Sequence, residues 1–361
     1  MNSTFQLVYI SRSRLQRNRA NLLQTLHMVN AFEAIGLHAQ LYLSPWPKTM
    51  RLNDRLRDFG IERALDVRSS QLLHSRWKTR PFIWLHQRLL RRADAIYVRA
   101  VPVSLLLAQR GLPHVLEIHD TEKLSEAELD AVSVYHREGL IRWLVPISRS
   151  AQSVLIDAGA IAERILVAPS GVDLPAFGGL PPFTPPVSRL PHIVYPGSLS
   201  RDRGLGIFED LVEQGVAQVT LLGEQTDPPR QLSGLKVLPF VPHREIPSWY
   251  GRADYVLLPY QTHLQHAASI SPIKLFEAMA AGRPIIASDL PAIREILTHE
   301  DNALLVDPAD VQAWLAAVQR LRVDPQLASR LAKAGQALAA HFGWEQRARN
   351  IAQACGWLQS G

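Results

Sequence analysis

The chain of 361 residues contains one cysteine, Cys355, and no apolar run of about 18 residues or more. A lone cysteine excludes an internal disulfide and a multi-cysteine metal site, and it is typical of a reducing compartment. The missing apolar run argues against a membrane-spanning helix, and residues 1–14 lack the apolar core of a signal peptide. We therefore expect a protein that stays in the cytoplasm.

Acidic residues are scarce in the first half of the chain. Residues 1–180 carry 23 Lys+Arg against 16 Asp+Glu, whereas the remainder carries 16 against 17, within a net charge of +6. Such asymmetry predicts an anionic partner for the first half, such as a membrane surface, a nucleic acid or a charged substrate. The alternative is a surface that is merely rich in arginine.

Residues 72–92 show this asymmetry most strongly, with six basic residues, no acidic one, and interleaved Trp77, Phe82 and Trp84. The pattern resembles an interfacial amphipathic helix, whose basic residues meet anionic lipid while its aromatic rings enter the headgroup boundary. It fits equally a helix packed on a sheet with an arginine-rich outer face. Nucleic acid is disfavoured because no binding module accompanies the charge. We thus expect peripheral association with the inner face of the membrane.

Short apolar strands alternate with helical patterns, which is typical of βαβ units and parallel sheets. Strands are predicted at residues 5–10, 38–43, 95–100, 114–119, 143–147 and 164–168, and again at 192–196, 218–222, 236–241, 255–259, 284–287 and 303–306. Between them, six prolines in residues 175–191 favour an extended linker. We predict an α/β chain of two Rossmann-like domains, 1–178 and 190–343. Ligands of such sheets bind beyond the carboxyl ends of the strands, so we expect the site in the cleft between the domains.

Residues 269–288 predict a loop, a helix and then a buried strand. Backbone N–H groups at a helix start attract phosphate, and the Ser271 hydroxyl and the Ile273 N–H are candidate donors. Lys274 could neutralise a diphosphate, and Glu277 could accept hydrogen bonds from two ribose hydroxyls. The alternatives are a solvated lysine in the first turn and a carboxylate that favours the helix dipole. In the turn after the strand at 192–196, the Arg203 guanidinium could bind phosphate oxygens or lie free at the surface.

Several segments resemble one known family. They are APSGVDL (168–174), PGSLSRDRG (196–204), ADYVLLPY (253–260) and SPIKLFEAMAAGRPIIASDLPAIREIL (271–297), with VLEIHD (115–120) and HFGWEQRARNIA (341–352) extending the likeness over most of the chain. They look like the retaining, nucleotide-sugar-dependent glycosyltransferases of family 4. The resemblance implies the GT-B architecture, in which two Rossmann-like domains face a cleft and the final helix, here 344–361, packs back on the first domain.

The resemblance also implies donor-site roles. In the family, the glutamate matching Glu277 binds the nucleotide ribose, and a second glutamate eight positions earlier contacts the donor sugar. This chain has Ser269 at the second position, and its hydroxyl can hydrogen-bond a sugar without supplying charge. A lysine usually stands in place of Arg203 and an arginine in place of Ser198, so Arg201 is expected to supply the missing charge.

His119 ends a predicted strand, and its EIHD context is similar to the family's catalytic-histidine segment. The resemblance implies that His119 hydrogen-bonds the donor sugar rather than acting as a base. It also implies a front-face displacement in which the leaving diphosphate takes the acceptor proton, so no carboxylate pair at glycosidase spacing is required. The alternative is a structural histidine.

The acceptor side is predicted from charge. Arg12 and Arg14 belong to a basic loop expected between the first strand and a helix that begins near Asn21, and this loop lies at a strand's carboxyl end. A metal site is not predicted, because His263 and His266 lack a third ligand and there is no Asp-x-Asp element.

Together these observations predict a metal-independent retaining glycosyltransferase without a cofactor, moving a hexosyl group from a UDP- or GDP-linked sugar to a hydroxyl of a glycan or lipid-linked acceptor. The resemblance places it in the synthesis of a cell-envelope glycan such as lipopolysaccharide, capsule or exopolysaccharide. One alternative is a nucleotide-sugar 2-epimerase, which needs acidic residues around the sugar that Ser269 does not supply. The other is a non-catalytic sugar-nucleotide-binding protein, which would explain Ser269 directly.

Overall fold

A computed structural model describes residues 5–74 and 79–358. The chain divides into two compact units. Unit 1 comprises Met1–Gly171 together with Trp344–Gly361, and unit 2 comprises Val172–Gly343.

Unit 1 is built on a parallel sheet of six strands in the order β3-β2-β1-β4-β5-β6. The strands are β1 (Gln6–Arg14), β2 (His38–Ser44), β3 (Asp66–Ser69), β4 (Ala95–Val98), β5 (His114–Ile118) and β6 (Ile141–Pro146). The helices are α1 (Ala20–Ala34), α2 (Leu52–Asp58), α3 (Thr79–Leu85), α4 (Gln87–Arg92), α5 (Val101–Ala108), α6 (Glu126–Arg137) and α7 (Arg149–Asp157). The central strands are buried on both faces, as their continuous apolar runs predict.

Unit 2 contains two parallel sheets of three strands, ordered β7-β8-β9 and β10-β11-β12. The strands are β7 (His192–Pro196), β8 (Gln218–Leu222), β9 (Leu235–Leu238), β10 (Val256–Leu258), β11 (Ile285–Ser288) and β12 (Leu304–Val306). The helices are α8 (Leu174–Phe177), α9 (Leu205–Glu213), α10 (Ile246–Gly251), α11 (Ile273–Ala280), α12 (Pro291–Arg294), α13 (Val311–Val323) and α14 (Pro325–Ala339). A parallel bridge between Ile193 and Tyr255 connects the sheets. The predicted α/β class is therefore confirmed.

The last helix of the chain, α15 (Trp344–Ala354), packs in unit 1 against α1. Trp344 stacks on His27 with ring centroids 5.8 Å apart. Trp357, just beyond α15, contacts the rings of Phe5 and Phe32. Unit 1 is thus completed by residues that follow the whole of unit 2 in the sequence.

The proline-rich segment at 175–191 differs from the prediction of an extended linker. It belongs to unit 2, where Phe177 is buried and Phe183 lies against Tyr255. The Pro181 carbonyl accepts a hydrogen bond from the buried Arg283 at 3.1 Å. The segment begins with the short helix α8, which has Pro175 in its first turn, and its apolar residues Phe177 and Phe183 pack within unit 2. Unit 1 accordingly ends at Gly171 rather than at the predicted residue 178.

Two strand predictions for unit 1 also need correction. Residues 164–168 form no strand, although Ile165 makes a parallel bridge with Leu144 and the Leu166 N–H bonds to the Leu144 carbonyl. β1 continues to Arg14 through a register shift after Ile10, so Arg12 and Arg14 lie in the strand rather than in the loop after it. Isolated bonds and irregular pairing of this kind depend on the neighbouring strand, which a local pattern does not show.

Part of the predicted membrane-binding segment, residues 75–78 with Trp77, lies outside the described residues. The remainder forms two short helices, α3 and α4, instead of one. Phe82, Ile83 and Leu90 point into the core of unit 1, whereas Trp84 and Leu85 are 66% and 64% exposed. In the part of the chain that the structure describes, no helix combines the length and apolar character needed to cross a bilayer.

A buried histidine connects α5 to β5. The His114 Nδ1 lies 2.9 Å from the Leu112 carbonyl oxygen, and its Nε2 lies 2.6 Å from the Ser104 hydroxyl. The carbonyl can only accept, so Nδ1 carries the proton and Nε2 accepts from Ser104. Burial lowers the pKa of His114 to about 4.

This histidine predicts acid sensitivity of unit 1. Below pH 6.5 an unfolded His114 takes up a proton while the folded one stays neutral until about pH 4. Stability is therefore lost as the pH falls through this window, by about 3 kcal/mol at its lower end. We expect urea unfolding to show this loss in the wild type and a smaller one in His114→Asn. Equal pH dependence in both proteins would contradict the assignment.

Candidate functional site

Lys274 is held against the loop that follows β7. It belongs to the first turn of α11, and its Nζ lies 5.3 Å from the centre of the Tyr195 ring. A Cβ at Gly197 would lie 2.3 Å from the Lys274 Cε and 2.6 Å from its Nζ, so a side chain at position 197 would displace the end of the lysine. The absence of a side chain at position 197 thus fixes where the lysine amine sits.

Arg203 brings a second positive charge close to this amine. Burial and, second, the Arg203 charge lower the pKa of Lys274 to about 8, while the Glu277 charge acts in the opposite direction. The same guanidinium lies near the Tyr195 hydroxyl. Among the described residues, neither cation forms an ion pair with a carboxylate. Two such cations with a first helical turn beside them form an attractive site for a multiply charged anion.

Glu277 lies one turn further along α11 and is 4% exposed. Its Oε1 is 2.6 Å from His243 Nε2, and the Tyr250 hydroxyl donates to its Oε2 at 3.4 Å. The Tyr250 oxygen lies equally 3.4 Å from the Lys274 carbonyl oxygen, so its one hydrogen is shared between the two acceptors. Burial first, and the Glu277 carboxylate second, raise the pKa of Tyr250 well above its ordinary value. A carboxylate has about four lone-pair sites, so the Glu277 oxygens can accept further hydrogen bonds in addition to those from His243 and Tyr250, for example from the two hydroxyl groups of a diol.

The remaining donor-site candidates of unit 2 lie around the same helix start and loop. Ile273 is the first residue of α11, and Pro272 before it provides no capping side chain, which leaves first-turn N–H groups available to a ligand. Ser271 is half-buried and Ser269 is 1% exposed, so Ser269 lies in the protein interior. Ser198 is exposed in the loop after β7.

Arg201 is engaged elsewhere. Its guanidinium forms an ion pair with the buried Glu209, whose second oxygen it also contacts at 3.3 Å. Arg230 binds the same carboxylate at 3.1 Å. The positive charge of Arg201, which the sequence led us to expect at the donor, is therefore compensated by Glu209. Arg203 forms no ion pair among the described residues.

The predicted histidine of unit 1, His119, follows β5 and belongs to a network around the buried Glu117. The Glu117 carboxylate accepts hydrogen bonds from five side chains: Gln24 at 3.0 Å, Arg99 at 3.3 Å, Arg347 at 3.2 Å, Tyr97 and His119. Burial alone would raise the pKa of Glu117, but Arg347, His119 and Arg99 hold it well below its ordinary value. The network keeps a carboxylate ionised inside the sheet.

The proton position on His119 follows from its neighbours. The ionised Glu117 carboxylate beside Nε2 can only accept, so Nε2 carries the proton and donates it to Glu117. Arg99 lies against both ring nitrogens, with Nε 2.9 Å from Nε2 and Nη2 3.1 Å from Nδ1, and the unprotonated Nδ1 accepts from Nη2. Burial and then Arg99 lower the pKa of His119 to about 4, so the ring is neutral at pH 7. Both nitrogens are thereby held by protein groups in a defined tautomer.

The acceptor candidates lie close to this network in unit 1. The Asn21 carbonyl accepts from Arg99 Nη1 at 2.7 Å, so Asn21 and His119 share a partner. Arg12 Nε bonds to the Leu73 carbonyl at 3.4 Å, and Arg14 is half-buried. Beneath the loop, Arg55 donates to the Leu15 and Arg17 carbonyls. Arg99 thus contacts both Asn21 and His119, and Arg55 holds the basic loop between β1 and α1.

Comparison with known proteins was made by sequence and by structure. Residues 191–324 match the family model described as glycosyl transferases group 1. The chain is 29% identical over 222 residues to a D-inositol 3-phosphate glycosyltransferase of Xylanimonas cellulosilytica, covering 53% of this chain and 50% of the relative. It is also 29% identical over 223 residues to the amylovoran biosynthesis glycosyltransferase AmsK of Erwinia amylovora, covering 58% and 53%. The chain thus spans about half the length of these curated relatives.

Solved structures match nearly the whole chain. A sucrose-phosphate synthase from Thermosynechococcus elongatus superposes with a TM-score of 0.75 at 16% identity, covering 98% of both chains. HepE of Anabaena in complex with UDP superposes with a TM-score of 0.74 at 18% identity, covering 98% of this chain and all of HepE. The chain has the GT-B fold.

Several residues of this GT-B chain were missed by the sequence analysis. They are Tyr195, His243 and Tyr250 in unit 2, and Arg99, Glu117 and Arg347 in unit 1. One signal was present, because Glu117 is a charged residue inside an apolar strand, which requires buried partners. Among the described residues, no group of three metal-ligating side chains comes together.

The lowered pKa of Lys274 predicts a pH-dependent affinity. An anion needs the protonated amine, so binding should weaken as the pH rises through about 8. At pH 9 we expect roughly tenfold weaker binding of a nucleoside diphosphate than at pH 7. Calorimetry with UDP should show this weakening in the wild type but not in Lys274→Arg, because the arginine stays charged at pH 9. Any change in the protonation of UDP itself affects both proteins equally. Parallel profiles of the two proteins would remove Lys274 from the anion site.

Proposed function

We propose that the chain is a retaining glycosyltransferase that takes a sugar from a nucleoside-diphosphate donor and passes it to a hydroxyl acceptor. The observation that carries the proposal is the arrangement along α11. This helix presents Lys274, which forms no ion pair among the described residues, at its first turn and the buried Glu277 one turn later. A cation beside Arg203 suits a diphosphate, and a held carboxylate suits the two hydroxyls of a ribose.

The comparisons support this proposal. The family match covers residues 191–324, which include β7, the Arg203 turn and the whole of α11. Both curated relatives are named as glycosyltransferases, and one structural neighbour was solved with UDP. The relative from Erwinia amylovora is named for the biosynthesis of amylovoran, which supports a role in making a cell-envelope glycan.

The roles in unit 1 complete the proposal. His119 hydrogen-bonds the donor sugar through Nδ1, which exchanges its Arg99 contact for a sugar hydroxyl when the donor binds, and Arg12, Arg14 and Asn21 bind the acceptor. The leaving diphosphate takes the acceptor proton, so the neutral His119 is suited to hydrogen bonding rather than to storing a positive charge. Lys274 and Arg203 supply the positive charge that a divalent metal would otherwise supply.

The decisive experiment measures donor consumption over a panel of UDP- and GDP-sugars, with and without glycan and lipid-linked acceptors. The proposal expects transfer from one donor, with the anomeric configuration of the product, read by NMR, equal to that of the donor. Tight nucleotide binding without any donor consumption would instead establish a binding protein. Rearrangement of the free donor sugar would establish an epimerase.

Glu277→Gln tests the ribose assignment. The amide cannot accept hydrogen bonds at both positions, so we expect UDP to bind at least about tenfold more weakly. Uracil alone should bind no differently. Glu245→Gln, which changes an exposed carboxylate before α10, is the matched control and should leave UDP affinity unchanged. Unchanged UDP affinity in Glu277→Gln would overturn the assignment.

We further propose that α3 and α4 contact an anionic membrane surface, which would bring a lipid-linked acceptor to unit 1. Trp84, Leu85 and Leu89 are exposed on these helices. Four exposed arginines, Arg80, Arg88, Arg91 and Arg92, lie on the same two helices with no acidic residue among them. Apolar side chains flanked by cations match the boundary of an anionic bilayer.

Co-sedimentation with phosphatidylglycerol vesicles tests the membrane contact. We expect salt-sensitive binding of the wild type and little binding to phosphatidylcholine vesicles. Trp84→Ser with Leu85→Ser should abolish binding. Val323→Ser, which removes an apolar side chain that is 79% exposed on α13, should not. Equal binding by both variants would rule out α3 as the contact.

A further inference from the structure

Arg347 is buried in unit 1 although its chemistry favours solvent. It is 5% exposed on α15, and all of its described contacts are with unit 1. Nε donates to the Pro169 carbonyl at 2.8 Å, Nη2 to the Ala168 carbonyl at 3.0 Å, and Nη1 to Glu117 Oε2 at 3.2 Å. Two carbonyls fix the guanidinium in place, so its third contact is directed at one carboxylate oxygen.

The two oxygens of Glu117 divide the network. Oε2 receives Arg347 and Tyr97, whereas Oε1 receives Gln24, Arg99 and His119. Arg347 does not touch His119 through any described hydrogen bond, yet both bind the same carboxylate. Any change in the charge of Glu117 therefore changes the hydrogen bond and the electrostatic interaction that this carboxylate makes with the His119 ring.

We propose that Arg347 is a positioning residue that fixes the ring and proton of His119 through Glu117. Arg347 keeps Glu117 ionised, the ionised carboxylate accepts the Nε2 proton, and Nδ1 is thereby left to accept from Arg99. The expected effect of Arg347 on sugar transfer rests on the proposed function. Its effect on the orientation and proton position of the His119 ring does not depend on that function, and it can be measured without any enzyme turnover.

The electrostatic surroundings determine the expected direction. The charged groups that act on His119 are Arg99 after β4, Glu117 from β5 and Arg347 from α15. Tyr9 from β1 and Tyr97 from β4 interact with Glu117 rather than with the ring. Removal of the Arg347 cation leaves Glu117 with less positive charge around it. The Glu117–His119 pair then binds a proton at a higher pH than in the wild type.

The test is ¹⁵N NMR of the histidine rings in the full chain, with the His119 signals assigned by their loss in His119→Gln. In the wild type we expect one tautomer, Nε2–H, that persists down to about pH 4. In Arg347→Gln we expect protonation of the ring at a higher pH. Arg349→Gln is the matched control, because Arg349 is exposed two residues further along the same helix. Arg347→Lys, which restores the charge, should restore the wild-type titration.

An unchanged His119 titration in a folded Arg347→Gln protein would overturn the proposal, and so would a failure of Arg347→Lys to differ from Arg347→Gln. If Arg347→Gln does not fold, the double variant Glu117→Gln/Arg347→Gln removes both charges together. It should lose the single Nε2–H tautomer, and retention of that tautomer would equally overturn the proposal.

Kinetics separates this inference from the proposed function. In Arg347→Gln we expect kcat to fall roughly tenfold to a hundredfold with the KM for the donor unchanged, because a misplaced group affects the reaction more than binding. If the His119 titration shifts in Arg347→Gln while the wild type transfers no sugar, the proposed function fails and the positioning stands. If the wild type transfers sugar and the His119 titration is unchanged in Arg347→Gln, the positioning fails and the proposed function stands.

Discussion

Two positive charges held close together without a carboxylate partner are the constraint on which the unit 2 site depends. Lys274 and Arg203 each disfavour the charge of the other, and burial adds to the cost for the lysine. The fold nevertheless keeps them there, with Gly197 leaving room for the lysine and the Tyr195 ring beneath its amine. Such an arrangement is stabilised when an anion binds between the cations. Glu277 lies one turn further along α11, held by His243 and Tyr250, and supplies an acceptor for hydroxyl groups. Cations for a diphosphate and an acceptor for a diol are the combination that a nucleoside diphosphate requires.

Unit 1 has the opposite arrangement. Its central charge is the buried anion Glu117, and donors from four separate segments compensate it. A buried carboxylate that loses one such partner is strongly destabilised. Because Arg347 follows the whole of unit 2 in the sequence, the network around His119 is complete only once α15 has packed. The site at the start of α11 therefore keeps two positive charges available to a ligand, whereas the charges around Glu117 in unit 1 compensate one another and so fix the His119 ring.

The sequence predicted what depends on local pattern. Apolar runs gave most strands and the class of the fold, and the helix start at residue 273 led to Lys274 and Glu277. The sequence did not predict contacts between residues that lie far apart along the chain. Glu117 meets Arg347 across 230 positions, and His243 meets Glu277 across 34. Arg201 was assigned to phosphate because nothing local reveals its pairing with Glu209. The prolines at 175–191 suggested a linker, since composition does not show that the apolar residues between them find a surface on which to pack.

The central claim is that α11 binds a nucleoside diphosphate through its first turn and Glu277. A crystal structure of the full chain with UDP tests it most directly. The account predicts the diphosphate within hydrogen-bond distance of the Lys274 amine and the Arg203 guanidinium, with both ribose hydroxyls donating to Glu277 while His243 keeps its contact with Oε1. A nucleotide bound away from α11, or one whose ribose leaves Glu277 untouched, would contradict it.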